Sequence, residues 1–164
     1  MDWLTGPRII IREIAGKRPY QICATYTEET YCNYKTTLIV APSANTNFSM
    51  KYLTGILNSR LVSCLYPLVS NKIVTETFPR LTVKDIKKIP VPIPTSDKMH
   101  AHDKLVALVE KMLALHQQLA AAKTPQDTNL LQRQINATDK QIDQLVYALY
   151  GLTDEEIALV EGSA

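Results

Sequence analysis

An apolar repeat in the C-terminal part of this chain of 164 residues limits its fold more than any other feature. From Asp97 to Lys123 the sequence contains neither proline nor glycine. Such a stretch favours a helix, and its apolar residues recur at alternating steps of three and four, as in a coiled coil. They are Leu105, Leu108, Met112, Leu115, Leu119 and Ala122. We therefore predict a helix over residues 97–123.

A second helix is predicted over residues 127–149, after a break at Thr124-Pro125. Asp127 or Thr128 is expected to cap it. A connection this short makes the two helices pack antiparallel, as a coiled-coil hairpin. The same apolar spacing resumes in the second helix, at Leu131, Ile135, Thr138, Ile142, Leu145 and Leu149.

One more short helix is predicted over residues 153–161. Gly151 is a typical stop signal for the helix before it. Thr153 and Glu156 have the spacing of a capping box, in which each side chain bonds the backbone of the other residue. The C-terminal part, residues 97–164, is thus expected to be entirely helical.

Residues 1–96 show a different pattern, for which we predict a small mixed α/β domain. Segments rich in β-branched and aromatic residues predict strands over residues 8–14, 20–27 and 35–41. Residues 49–66 carry apolar side chains at helical spacing and predict one helix, with Ser49 as a possible cap. The expected fold is α+β: this domain, then the hairpin, then the short helix.

The segment FPRLTVKDIKKIPVPIP, residues 78–94, joins the two parts. Thr82 and Asp85 predict a capping box and a short helical turn. The three prolines that begin at Pro90 exclude a continued helix and a central strand. In an extended chain the apolar residues between them share one face, which predicts a stiff strap against the domain surface. Those residues are Ile89, Val91 and Ile93.

Charge divides the chain at the same point. Residues 1–96 hold 12 Lys and Arg against 6 Asp and Glu, and residues 97–164 hold 6 against 10, which together give the net charge of +2. A basic part rich in loops suits a polyanion, and an acidic helical part suits a protein partner. Two classes of function follow: DNA binding through the first part, or a protein–protein adaptor that acts through the hairpin.

Polar side chains in the predicted loops and turns are the candidates for contacts with DNA. Arg, Lys and Asn read the edges of guanine and adenine in the major groove, and Lys and Tyr commonly hold phosphates. The candidates are Lys17, Arg18, Tyr20, Tyr31, Tyr34, Lys35, Asn45, Asn47, Lys72, Arg80, Lys84, Lys87 and Lys88.

Motifs of catalysis are missing from the sequence, which has no P-loop and no GxSxG, HExxH or NPPY motif. Asp85 and Lys87 form a DxK pair like that of some nucleases, but no proline–aspartate pair precedes it. His100 and His102 lie two positions apart and do not share one helix face, so a solvated helix start is expected rather than a metal site. We expect no catalysis by this chain, with a nuclease at Asp85 and Lys87 as a distant alternative.

The chain is expected to be cytoplasmic. Its longest apolar stretches are interrupted by charge or proline, and the start MDWLTGPR lacks the apolar segment of a secretory signal. Its three cysteines form no CxxC pair, which favours reduced thiols.

Several segments resemble the target recognition domain of type IIG restriction–modification enzymes. Over nearly the whole chain from about Pro7, the sequence is similar to the TaqI-like C-terminal specificity domain and, more distantly, to one half of a type I specificity subunit. The segments are IIIREIAGKRPYQICATYTEETYCNYKTTLIVAP, MKYLTGILNSRLVSCLY, the strap and the ending YGLTDEEI.

The resemblance implies a domain that docks in the major groove of double-stranded DNA and selects the recognition sequence. A methyltransferase, and in some enzymes a nuclease, would act from elsewhere in the polypeptide or from a partner subunit. S-adenosylmethionine and magnesium would belong to those catalytic parts, and the chain itself would hold no cofactor. The helical pair would pack on the methyltransferase or act as a spacer. Because base-reading residues vary with the target sequence, none is carried over to this chain.

Overall fold

The computed structural model describes residues 4–32, 35–70 and 80–162. It confirms the α+β class, since a small antiparallel sheet is followed by long helices late in the chain. The strands are β1 (Arg8–Arg12), β2 (Ala24–Thr27) and β3 (Thr37–Val40). The helices are α1 (Met50–Leu57), α2 (Arg60–Val69), α3 (Val83–Ile86), α4 (Met99–Ala121), α5 (Pro125–Tyr150) and α6 (Asp154–Gly162).

The sheet has the order β2-β1-β3, and both outer strands run antiparallel to β1. Ile9 and Ile11 of β1 are fully buried on the face that packs on α1. Their partners in the register share that face and are partly buried: Ala24, Tyr26, Leu38 and Val40. Alternation therefore places Arg8, Ile10 and Arg12 on the opposite face.

The prediction of one helix over residues 49–66 is wrong, because α1 and α2 are separated at Asn58 and Ser59. The Asn58 side chain turns to β2, where it accepts from the backbone N–H of Ala24 at 2.9 Å. Ser59 is fully buried, and its hydroxyl accepts from the backbone N–H three residues on at 3.3 Å. Short polar side chains that bond the backbone in this way compete with helix continuation.

The capping box predicted at Thr82 and Asp85 is confirmed. The Thr82 hydroxyl accepts from the backbone N–H of Asp85 at 3.3 Å, and the Asp85 carboxylate accepts from the backbone N–H of Thr82 at 3.2 Å. These bonds satisfy donors that a helix start leaves without intrahelical partners.

Two tyrosine hydroxyls hold the strap that follows. Tyr52 of α1 donates to the carbonyl of Pro92 at 2.9 Å, and Tyr150 of α5 donates to the carbonyl of Pro90. A proline has no N–H but keeps its carbonyl, so it still serves as an acceptor. Ile89 is buried, but Ile93 is 66% exposed. The prediction that the apolar residues of the strap share one packed face is therefore wrong at Ile93; residues 78–79 of the strap lie outside the described residues.

Helices α4 and α5 pack against each other as a hairpin across a short connection. The cap of α5 is Thr124, whose hydroxyl accepts from the backbone N–H of Asp127 at 3.1 Å, so the prediction of Asp127 or Thr128 is wrong. Pro125 occupies the first turn, where its fixed φ suits a helix and its missing N–H costs nothing. Gly151 ends α5 at φ +70°, as predicted. No helix in the described part of the chain is long and apolar enough to cross a membrane.

One hydrophobic core joins the sheet and α1 to the half of the hairpin near its open end. Leu105 and Val109 of α4 are buried against α1 at Gly55, where a β-carbon would lie 2.9 Å from Leu105 Cδ1. A glycine therefore lets the two helices approach closely. The division of the chain into domains at residue 96 remains a prediction.

Candidate nucleic-acid interface

The loop between β1 and β2 carries Lys17 and Arg18 at its tip, and both side chains are exposed. Its ends are bonded to each other, since the backbone N–H of Gly16 donates to the carbonyl of Gln21 at 2.6 Å. A β-carbon on Gly16 would lie 2.7 Å from the carbonyl oxygen of Tyr20, so the loop closes too tightly for a side chain there. The tip is thus a short, closed structure that presents two cations.

Other cations lie at the same end of the sheet, where β1 finishes. Arg12 is the last residue of β1 and is exposed. Lys35 comes just before β3, whose first residue pairs with Arg12. Arg80 forms an isolated bridge with Ile14. We call this end, with Arg12, Lys17, Arg18, Lys35 and Arg80, the cationic end.

Sequence reasoning missed Arg12, because it lies within a predicted strand rather than a loop. Strand alternation places Arg12 on the face of β1 opposite the buried Ile11. Residue order gave little sign of its exposure, because three consecutive isoleucines precede Arg12, and Arg8 on the same face is buried. Its Nε donates to the carbonyl of Ile14 at 2.9 Å, which leads the side chain towards the loop that follows.

Helix α3 continues from the cationic end. The backbone N–H of Leu81 donates to the carbonyl of Glu13 at 2.7 Å, which ties the start of this segment to the end of β1. Lys84 and Lys87 are exposed on α3 and its C-terminal cap. Lys88 is also exposed, but its Nζ donates to the carbonyl of Val69 at 3.0 Å, so it is engaged within the protein.

Three other candidates lie towards the opposite end of the sheet. The backbone N–H of Tyr31 donates to the carbonyl of Leu4, which precedes β1. Asn45 and Asn47 are exposed in the loop that leaves β3 beside the start of β1. Because β1 spans five residues, the two groups are separated by about 14 Å along the strand. The structure therefore brings the candidates together as two groups rather than one; Tyr34 and Lys72 lie outside the described residues.

Tyr20 belongs to neither group, because its side chain turns to the helices. Its hydroxyl donates to Asp143 Oδ2 of α5 at 3.0 Å, and Arg60 Nε of α2 donates to the Tyr20 hydroxyl at 3.3 Å. The Arg60 guanidinium also lies over the Tyr20 ring, 5.5 Å from its centre. Burial raises the pKa of Tyr20 to about 12, so the hydroxyl keeps its proton and remains a donor at neutral pH. We therefore leave Tyr20 out of the proposed DNA contacts.

Asp139 and Asp143 lie one turn apart on α5 and, with Tyr20 and Arg60, form what we call the carboxylate cluster. Burial raises the pKa of Asp143, while bonds from the Arg60 backbone N–H and the Tyr20 hydroxyl oppose that rise. Burial, and then the charge of Asp143, raise the pKa of Asp139 to about 6. Because two neighbouring carboxylates share one arginine, the negative charge of Asp139 is less well compensated than that of Asp143.

This arrangement predicts a pH-dependent stability that Asp139→Asn removes. The folded state binds the Asp139 proton more tightly than the unfolded chain does. The contribution of this proton to the free energy of unfolding is therefore complete below about pH 4, and it is lost as pH rises through about 6. At about pH 8 the variant should be more stable than the wild type by roughly 1 kcal/mol, a figure reduced for partial exposure. At about pH 4 the two should be equal. Urea unfolding at both pH values measures this, and the exposed Asp154→Asn is the control for the loss of one carboxylate charge from the surface.

Two of the residues considered for catalysis or metal binding, Asp85 and His102, have other partners. The Asp85 carboxylate accepts from the Thr82 hydroxyl at 2.6 Å within the capping box. His102 Nε2 accepts from the backbone N–H of Ser49 at 3.2 Å, and its Nδ1 lies 2.9 Å from Asp103. In the described residues no three His, Cys, Asp or Glu side chains converge on a possible metal position.

Comparison with known proteins identifies the family. The sequence model of the TaqI-like C-terminal specificity domain matches residues 1–91, more than half of the chain. The chain belongs to this family. No curated protein matches the chain in sequence. The match places the protein, as a TaqI-like specificity domain, in DNA target recognition within restriction–modification.

The family match ends inside the strap. It covers the three strands, α1 to α3 and all five residues of the cationic end, and it stops before the hairpin. In this TaqI-like domain, the excess of Lys and Arg over Asp and Glu therefore lies in the region that the family defines.

Proposed function

We propose that this chain recognises a specific sequence in double-stranded DNA and directs a separate methyltransferase or nuclease to it, without catalysis of its own. The observation that supports the proposal most is that the family match, residues 1–91, includes the whole cationic end. A specificity domain must approach a polyanion, and this part of the chain holds the excess of Lys and Arg.

Phosphate contacts and base contacts are divided between the two groups of candidates in this proposal. Exposed Lys and Arg at the cationic end and on α3 hold the phosphates, which sets orientation without reading sequence. Asn45 and Asn47, about 14 Å away along the strand, have the amide groups that pair with adenine edges.

The catalytic module is the proposed partner of the hairpin. The hairpin shares its core with the sheet near its open end, and its tip extends beyond, with Leu130 56% exposed there. The module would be part of the same polypeptide or a partner subunit in a system of type IIG organisation. S-adenosylmethionine and magnesium would be bound by that module rather than by this chain.

The experiment is a titration of the chain with labelled duplex DNA at several salt concentrations. If about four exposed cations contact phosphates, the logarithm of the affinity should fall with the logarithm of salt with a slope of roughly −4. Binding should then be repeated with a pool of random duplexes, from which one sequence should be enriched. A slope near zero, or no binding at about 50 mM salt, would favour the adaptor function, and binding without enrichment would contradict sequence recognition.

A further inference from the structure

The carboxylate cluster connects the DNA-facing loop to the hairpin. Asp143 of α5 is 4% exposed and accepts from the Arg60 backbone N–H at 2.9 Å and from the Tyr20 hydroxyl at 3.0 Å. Arg60 Nε lies 3.4 Å from the same carboxylate. All these donors come from the part of the chain before the hairpin. A buried carboxylate needs such donors, because they replace the hydrogen bonds to water that it has lost.

Tyr20 lies only two positions after Arg18, at the base of the loop tip. The loop is fixed at two further points: Gly16 bonds to Gln21 across its ends, and the backbone N–H of Gln21 donates to the buried Ser63 hydroxyl of α2 at 2.7 Å. Of these anchors, the Tyr20 hydroxyl is the one that reaches the hairpin. A loop held in its bound conformation loses less entropy when it binds, which increases affinity.

We infer that Asp143 is a positioning residue for DNA recognition, acting through Tyr20 to hold the Lys17–Arg18 tip in place. This inference rests on the proposed function. It makes the hairpin a component of the DNA-binding unit as well as an arm for a partner. A shift of α5 relative to the sheet would remove an anchor of the loop, so a protein bound to the hairpin can alter DNA affinity through this contact.

Tyr20→Phe tests the inference because it removes the hydroxyl and keeps the ring. Duplex affinity should fall about fivefold, the usual effect of one hydrogen bond. Tyr150→Phe is the matched control: its hydroxyl also links α5 to the preceding part of the chain, but through the strap carbonyl of Pro90. It should leave affinity within about twofold.

A double-mutant cycle separates positioning from general destabilisation. If Tyr20 positions the tip, the loss of affinity caused by Lys17→Ala should be about threefold smaller in the Tyr20→Phe background than in the wild type. Independent, multiplicative losses would overturn the inference, as would an equal effect of Tyr150→Phe.

Amide hydrogen exchange in the protein without DNA makes the two proposals separately testable. Tyr20→Phe and Asp143→Asn should each speed exchange over residues 16–21 about tenfold, at unchanged exchange in β1. If that exchange equals the wild-type rate while DNA still binds, the inference fails and the proposed function stands. If loop exchange changes but the wild type binds no duplex, the proposed function is contradicted, and Asp143 then has no role in DNA binding. If Tyr20→Phe does not fold, exchange in Asp143→Asn tests the inference instead.

Discussion

Replacing Lys17 and Arg18 together by alanine is expected to weaken duplex DNA binding about 100-fold at about 50 mM salt. Each lost phosphate contact reduces the salt slope by about 0.9, so losing two reduces it by about 1.8. The affinities of wild type and variant should converge near 1 M salt. At about 50 mM salt, which is roughly 20-fold lower, this difference in slope separates the two affinities by a factor on the order of 100. Fluorescence anisotropy at several salt concentrations measures both the affinity and the slope.

The charge-matched control for this variant is Lys123→Ala with Arg133→Ala. Both cations are exposed on the hairpin, away from the cationic end, and their loss changes the net charge by the same amount. This control should weaken binding no more than about threefold, because its cations act only through the overall field. Equal losses in the two double variants would show that total charge rather than position matters, and no loss from Lys17 and Arg18 would remove the loop tip from the interface.

Asp143→Ala is expected to cost about 3 kcal/mol of folding stability, the largest effect on stability predicted for a single residue here. It leaves the Arg60 backbone N–H, the Arg60 side chain and the Tyr20 hydroxyl without their acceptor in a mostly buried position. Removing one partner of a buried pair costs more than the pair contributes, since the remaining donors stay desolvated. For a chain of this length the melting temperature should fall by about 6–12 °C.

Thermal unfolding followed by circular dichroism measures this effect. Asp154→Ala, at an exposed position in the first turn of α6, should change stability by less than about 0.5 kcal/mol. Asp143→Asn should fall between the two, because an amide oxygen can still accept from the Arg60 backbone N–H. A melting temperature of Asp143→Ala equal to that of wild type would show that the carboxylate cluster adds nothing to stability.

Features set by neighbouring residues were predictable from the sequence. The α+β class followed from strand-type composition in the first part and heptad spacing in the second. The capping box at Thr82 and Asp85 and the left-handed stop at Gly151 have the bonds and the φ that their residue types imply. Such features depend on contacts within a few positions, so the order of residues contains their cause.

Predictions from the sequence were wrong where two local signals competed, or where a residue distant in sequence determined the local structure. Residues 49–66 have helical spacing throughout, yet Asn58 bonds to β2 and Ser59 caps a new helix. The strap was expected to pack along one face, but Ile93 is exposed. Neither outcome depends on the local pattern alone, because each is set by what the fold places beside the segment.

The sequence by itself determined where this chain is helical, where it is cationic and to which family it belongs, since periodicity, charge and family motifs are properties of residue order. Only the tertiary structure decided which cations lie together and which side chains turn inward. Tyr20 shows the difference: in sequence it is one more aromatic residue beside Lys17 and Arg18, and in the fold it bonds a carboxylate 123 positions away. The physical reason is that a hydrogen bond requires atoms about 3 Å apart, and that proximity arises only when the whole core has packed.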